Sequence, residues 1–274
     1  MGERRGPGFY GLTLFFAAFV LFLYGPLTAV FILSFQGPNG GLTFPMNGVS
    51  LRWFANLLER QAVGDLGGAF LRSLTLGLMV MAVTVLVSLL AGLAFRRRFV
   101  GSGPLFYLTV ASLIVPSILV SLGIGLAFQI AGLRPGWASS GFGAHLTWTL
   151  PFGLLIMFAV FNRFDPAYEE AARDLGATPW QTFRHVVLPM IAPSLVGVGL
   201  FGFTLSYDEF ARTLMTSGSF NTLPLELYGM TTNVTTPVLY ALGTVTTLFS
   251  FLVIGAALAA MVLLRRRAAR RGLT

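Results

Sequence analysis

The sequence predicts an all-α membrane protein of six transmembrane helices. Three observations carry this reading: 10% charged residues against 55% hydrophobic, a mean hydropathy of +0.78, and apolar runs that are continuous rather than alternating. A soluble domain typically holds about 25% charged residues, so this chain lacks the polar side chains to cover a water-facing surface. Continuous runs suit helices, whereas a membrane barrel needs strands that alternate apolar and polar.

A hydrocarbon core about 30 Å thick takes roughly 20 helical residues. Stretches free of Arg, Asp and Glu cover 73–95, 99–133, 135–162, 185–207 and 227–264, and each has room for one span. One further span, 11–35, follows Arg4 and Arg5 and ends at the breaker run Gly37-Pro38-Asn39-Gly40-Gly41. Its apolar run exceeds the roughly 7–15 residues of a secretory h-region and no A-x-A cleavage pattern follows, so it reads as a retained helix. The others are placed at 70–95, 104–128, 143–162, 189–206 and 239–264, in a single transmembrane domain covering 1–274. Pro116 falls inside the third of these six and removes a backbone hydrogen bond there, a break tolerated where neighbours or a cavity satisfy the carbonyl. Glycines recur within spans (Gly92, Gly123, Gly125, Gly197, Gly199, Gly202, Gly255), as expected of close helix packing in a bilayer.

Six spans put both termini and the 2–3 and 4–5 loops on one side. Thirteen Arg fall there, namely Arg4, Arg5, Arg96 to Arg98, Arg163, Arg173, Arg184, Arg265 to Arg267, Arg270 and Arg271. Five (Arg52, Arg60, Arg72, Arg134, Arg212) fall opposite. The positive-inside rule assigns the richer side to the cytoplasm. The tail from Arg265 to Arg271 reads as a headgroup anchor, which also accounts for a net charge of +8 without nucleic acid.

Several chemistries are excluded by composition. All 18 basic residues are Arg, so no Walker A lysine or Schiff-base lysine exists. With no Cys there is no thiolate nucleophile or Cys metal site. His145 and His185 lie 40 residues apart and fit no metal motif. No catalytic residue, metal ligand or cofactor site is expected.

One segment, 165–189, departs from the membrane pattern and reads as two short punctuated helices. Asp165 can cap the first, with Pro166 at its first position and Glu169 and Glu170 in its early turns. Gly176 ends it in the left-handed conformation. Thr178 caps the second, with Pro179 first and Gln181 completing a capping box, and Pro189 marks entry into the fifth span. Leu175, Ala177, Trp180 and Phe183 could pack on the protein's own helices, or present an apolar knob rimmed by charge to another subunit.

The spacing Glu170-Ala171-Ala172, three residues, Gly176, nine residues, Val186, one residue, Leu188-Pro189 resembles the EAA loop of permease subunits in binding-protein-dependent ABC importers. Val186 stands where Ile is usual. The resemblance implies a MetI-like ABC importer permease fold in which a coupling helix docks into a groove on an ABC ATPase dimer. Glu169, Glu170, Ala171, Ala172, Asp174, Gly176, Leu188 and Pro189 would form that coupling site, and ATP would be bound by the partner subunit. Further implied are a second permease subunit in a heterodimer, a periplasmic or extracellular substrate-binding protein, and a bacterial inner membrane around a multi-pass chain with both termini cytoplasmic. Phe203-Thr-Leu-Ser-Tyr-Asp-Glu-Phe, Thr222-Leu-Pro-Leu-Glu-Leu-Tyr-Gly-Met and Val238-Leu-Tyr-Ala-Leu-Gly-Thr look like the second permease subunit of spermidine/putrescine-type importers, which implies a polyamine substrate. Relatives of this architecture also serve iron, thiamine and aminoethylphosphonate. A secondary carrier is the rival class, but it predicts internal repeats and ionisable residues in mid-span, and neither is found.

Asp208 and Glu209 follow the fifth span at its outer end. Carboxylates near membrane depth are expensive unless paired or hydrated, which makes them candidates for meeting a passing cation, with Tyr207 adding a cation–π face. Against that stands pairing with Arg212, four residues after Asp208, a spacing that suits a helical ion pair.

Overall fold

The protein is described here from a computed structural model. The structure describes residues 6–57, 59, 64–97, 99–233 and 236–270, and of 233, 265 and 267–270 the backbone alone. Arg4, Arg5, Arg60, Arg98 and Arg271 of the charge count therefore lie outside the described residues, as do the side chains of Arg265, Arg267 and Arg270.

The described residues form eleven α-helices and no strand. These are α1 (Pro7–Leu33), α2 (Arg52–Asn56), α3 (Leu66–Phe95), α4 (Ser102–Ala111), α5 (Ser117–Ile130), α6 (Phe142–Asn162), α7 (Ala167–Asp174), α8 (Pro179–Thr182), α9 (Leu188–Tyr207), α10 (Leu223–Asn233) and α11 (Val238–Arg270). Wider π-turns at Trp137–Gly141 and Phe183–Val187 run into α6 and α9. Among the described residues five rods are long and apolar enough to cross a membrane: Pro7–Leu33, Leu66–Phe95, Trp137–Asn162, Pro179–Tyr207 and Val238–Leu264. The stretch 104–128, expected as one helix, is two. Pro116 sits at the N-cap of α5 with extended ψ, and its missing N–H ends the continuous ladder. Ser112 bridges the break, its hydroxyl donating to the Thr109 and Thr147 carbonyls at 2.7 and 2.8 Å.

The chain divides into two compact units, 1–65 with 229–249 and 66–228 with 250–274. In the first, the breaker run after α1 folds around Gln36. Its amide oxygen accepts from Gly37 and Asn47 N–H, its amide nitrogen donates to the Gly41 and Thr43 carbonyls, and its own carbonyl accepts from Trp53 Nε1 at 2.7 Å. A buried polar side chain satisfied this fully specifies one loop conformation. Trp53, Val238 and Ala241 form the local core. Of α1 itself, Leu33 alone is buried.

In the second unit α3 packs along α9 and α6, and α6 along α9. Met157, Phe161, Val187, Ile191 and Val198 form its apolar centre. Where side chains vanish, helices close up: a Cβ on Gly92 would lie 2.9 Å from Met157 Cβ, and one on Gly202 3.3 Å from Thr84 Cβ. Gly123, Gly197 and Gly255 face open space within the chain, so the small-residue expectation divides. Thr84 donates to Thr149 at 2.9 Å inside this bundle, an interhelical hydroxyl bond of the kind that adds specificity in lipid.

Candidate functional site

Two constellations stand out in the second unit. The first is the 165–189 segment. Asp165 Oδ1 accepts from Ala167 N–H at 2.9 Å, so the carboxylate caps as its position suggests, although the helix begins one residue later than the spacing implies. Gly176 takes φ +83°, a conformation that costs a Cβ-bearing residue roughly 1–2 kcal/mol. The capping box forms with both bonds: Thr178 N–H to Gln181 Oε1 at 2.8 Å, Gln181 N–H to Thr178 Oγ1 at 3.3 Å.

The side chains of this segment face two ways. Glu169 turns inward and is buried, its carboxylate held by Arg96 at 2.6 Å and Arg173 at 3.1 Å. Arg96 in turn lies against the rings of Phe161 and Phe164, 5.2 and 5.3 Å from their centroids, so the last turn of α3, the end of α6 and α7 are tied together. Phe183 joins the apolar centre. Leu175 points outward at 89% exposure and Trp180 at 65%, with Glu170, Arg173 and Asp174 exposed beside them. Of the four apolar residues, Phe183 therefore packs on the protein's own helices, Ala177 is half-buried, and Leu175 and Trp180 are exposed. Ala171 and Gly176 are exposed, while Ala172, Leu188 and Pro189 are half-buried.

The second constellation is the non-helical stretch 208–222. Glu209 and Arg212 are both buried, at 7% and 2% exposure. Glu209 Oε1 accepts the Arg212 backbone N–H at 2.8 Å, and Oε2 lies 3.6 Å from its guanidinium. That guanidinium also donates to Ser117 at 2.7 Å and Thr147 at 3.3 Å and rests 4.5 Å from the Trp148 ring centroid. The ion pair therefore runs between Glu209 and Arg212, three residues apart, and not from Asp208. α9 ends at Tyr207 with Asp208 as its C-cap, so Asp208 and Arg212 do not share a continuous helix and the i,i+4 pairing expected of them does not form. Asp208 remains exposed, with partial desolvation raising its carboxyl above the usual range. Tyr207 is buried, stacked on Phe203 at 5.6 Å and edge-on to Phe70 at 6.4 Å.

Sequence reasoning assigned nothing to His145, which is fully buried. Its Nδ1 lies 2.8 Å from Ser206 Oγ and its Nε2 3.1 Å from Thr213 Oγ1, pinning the 208–222 stretch to α6 and α9. Arg212 and His145 were both visible as isolated polar residues in apolar surroundings. Glu209 apart, their side-chain partners Ser206, Thr147, Thr213 and Ser117 are 61 to 95 positions away, beyond any local spacing. No cluster of three or more His, Asp or Glu that would hold a metal ion occurs among the described residues.

The chain belongs to the family of binding-protein-dependent transport system inner membrane components, whose model matches residues 84–270. Over 246 residues it is 28% identical to a spermidine/putrescine transport system permease protein of Escherichia coli K12, covering 88% of this chain and 89% of that one. It is 30% identical to the putrescine transport system permease protein of the same organism, covering 81% and 80%. Among solved structures, a bacterial ABC transporter that imports the acidic polysaccharide alginate aligns over 94% of this chain and 95% of its own, with a TM-score of 0.66 at 15% identity. The MetNI methionine transporter aligns over 72% and 96%, with a TM-score of 0.51 at 17% identity. The fold is thus the MetI-like ABC importer permease fold. The protein is a permease of a type I ABC importer in the bacterial inner membrane, a transporter component rather than an enzyme.

Proposed function

We propose that this chain forms half of the translocation pathway for a polyamine of the spermidine/putrescine kind and takes the stroke of an ATPase dimer through 165–189. The observation that carries the coupling role is the outward pair Leu175 and Trp180, standing among Glu170, Arg173 and Asp174 on a segment whose inner side is bonded to the bundle. An apolar knob with a charged rim is what a protein groove accepts. Both termini lie in the cytoplasm on this reading, by the Arg asymmetry. A second permease completes the pathway, and an external binding protein delivers the substrate. ATP binds to the ATPase, whose closure draws the coupling helices together and tilts the bundle open outward.

The polyamine assignment is supported by the named relatives and by Asp208, the carboxylate of the acidic pair that keeps its access to solvent. Glu209 is committed to Arg212 and on this reading holds the segment in place, while Tyr207 supports the aromatic floor beside it. Weak, hydrated carboxylate contact suits a pathway that must release its cation. The test is ATPase activity and uptake by the reconstituted chain with its operon neighbours and binding protein. Spermidine or putrescine should stimulate both, and Asp208→Asn should cut uptake several-fold while Leu175→Ala with Trp180→Ala should abolish stimulation. Stimulation by an anion or a metal complex alone would sink the polyamine assignment and leave the importer standing.

A further inference from the structure

Where the apolar run of α3 ends, a groove opens between its last turn and the 166–187 segment. It has two adjoining lobes of about 440 and about 450 Å³, each within the range typical of small-ligand sites. Leu93, Arg96, Arg97, Glu169 and Arg173 line both. Three guanidiniums therefore face Glu169 and Glu170 in the first lobe and Glu169 alone in the second, and the Glu169 carboxylate is already divided between Arg96 and Arg173. Glu170 borders the first lobe, and Phe183 and Val187 give the second an apolar wall. Arg97 forms no ion pair among the described residues and its side chain is exposed.

We propose that this groove is a binding site for a phosphate group, carried by an anionic molecule at the membrane face. Guanidinium forks match phosphate oxygens two at a time, which a lone ammonium does not. The groove begins at the level where a 30-residue apolar helix, Leu66–Phe95, gives way to arginine, the depth at which headgroup phosphates lie. Two sources share the chemistry: the headgroup of an acidic phospholipid, and a free phosphate from solution.

The experiment compares thermal unfolding of the full chain in zwitterionic nanodiscs, in nanodiscs containing phosphatidylglycerol, and in zwitterionic nanodiscs with added inorganic phosphate. Wild type, Arg97→Gln and Arg184→Gln are run side by side, Arg184 being an exposed arginine that does not line the groove. The proposal expects a rise in Tm for the wild type and for Arg184→Gln, and loss of most of it in Arg97→Gln. A rise with phosphatidylglycerol alone identifies a lipid, and one with phosphate a soluble ion. Native mass spectrometry gives a second readout, in which Arg97→Gln retains fewer bound phosphatidylglycerol molecules or phosphates than wild type. An equal rise in Arg97→Gln and wild type, with equal ligand retention, overturns the proposal, and so does the absence of any rise.

Discussion

Arg212 is the largest fully buried side chain among the described residues, and a buried cation survives only where it is paired and hydrogen-bonded. Its guanidinium has a carboxylate, two hydroxyls and an indole face. Arg212→Ala strips Glu209 of its counter-charge, and breaking a buried pair in this way costs about 3–5 kcal/mol. The expected outcome is a marked fall in Tm in detergent, partly restored by adding Glu209→Ala, since the double substitution leaves no uncompensated charge. A double substitution as harmful as the two single ones added together would show that the pair contributes little beyond its separate contacts. His145→Phe leaves the buried Ser206 hydroxyl without its ring partner, at about 1–3 kcal/mol for an unsatisfied buried group, while Thr213 keeps its bond to the Glu209 carbonyl, and proteolysis near 208–222 should speed up accordingly. His145's role was not legible in the chain, and of Arg212's only the pairing with a neighbouring carboxylate was, with Asp208 taken for Glu209. What was legible was the oddity of a polar residue in apolar company; what it touches depends on tertiary packing.

Helices announce themselves through their ends and their faces, and the two signals differ in range. The capping box at Thr178 and Gln181 and the left-handed Gly176 are local rules, and both form as their spacing dictates. Thr178→Ala should therefore cost about 1 kcal/mol, seen as faster hydrogen exchange across 178–182 with the rest of the bundle unchanged. Pro116 is also a local signal. It divides a continuous apolar stretch into α4 and α5, which hydropathy windows cannot resolve because both halves are equally apolar. Glycine faces are the opposite case, since the same residue type fills both tight and open positions. Gly92→Ala is expected to destabilise by about 1–3 kcal/mol through overpacking against Met157 and Phe161, whereas Gly123→Ala, with nothing within 4 Å, should be neutral. Equal Tm values for the two variants would contradict the packing described here.

For the molecule as a whole, fold class followed from composition: a chain with 10% charge and 55% apolar residues has one solvent that suits it. The EAA spacing then pointed to the family that the comparison with residues 84–270 identifies. Which side chains of that motif turn inward was not in the pattern, because Glu169 and Glu170 are adjacent and chemically alike, and only the position of Arg96, 73 residues earlier, separates them. The knot around Glu169 has a mechanical meaning. A carboxylate gripped from two sides, with one guanidinium wedged against Phe161 and Phe164, behaves as a stiff strut rather than a slack tether. Whatever displaces α7 displaces the end of α3, and α3 lies alongside both α9 and α6 for much of its length. On the coupling role proposed above, a push on α7 would reach the membrane-spanning rods through this contact.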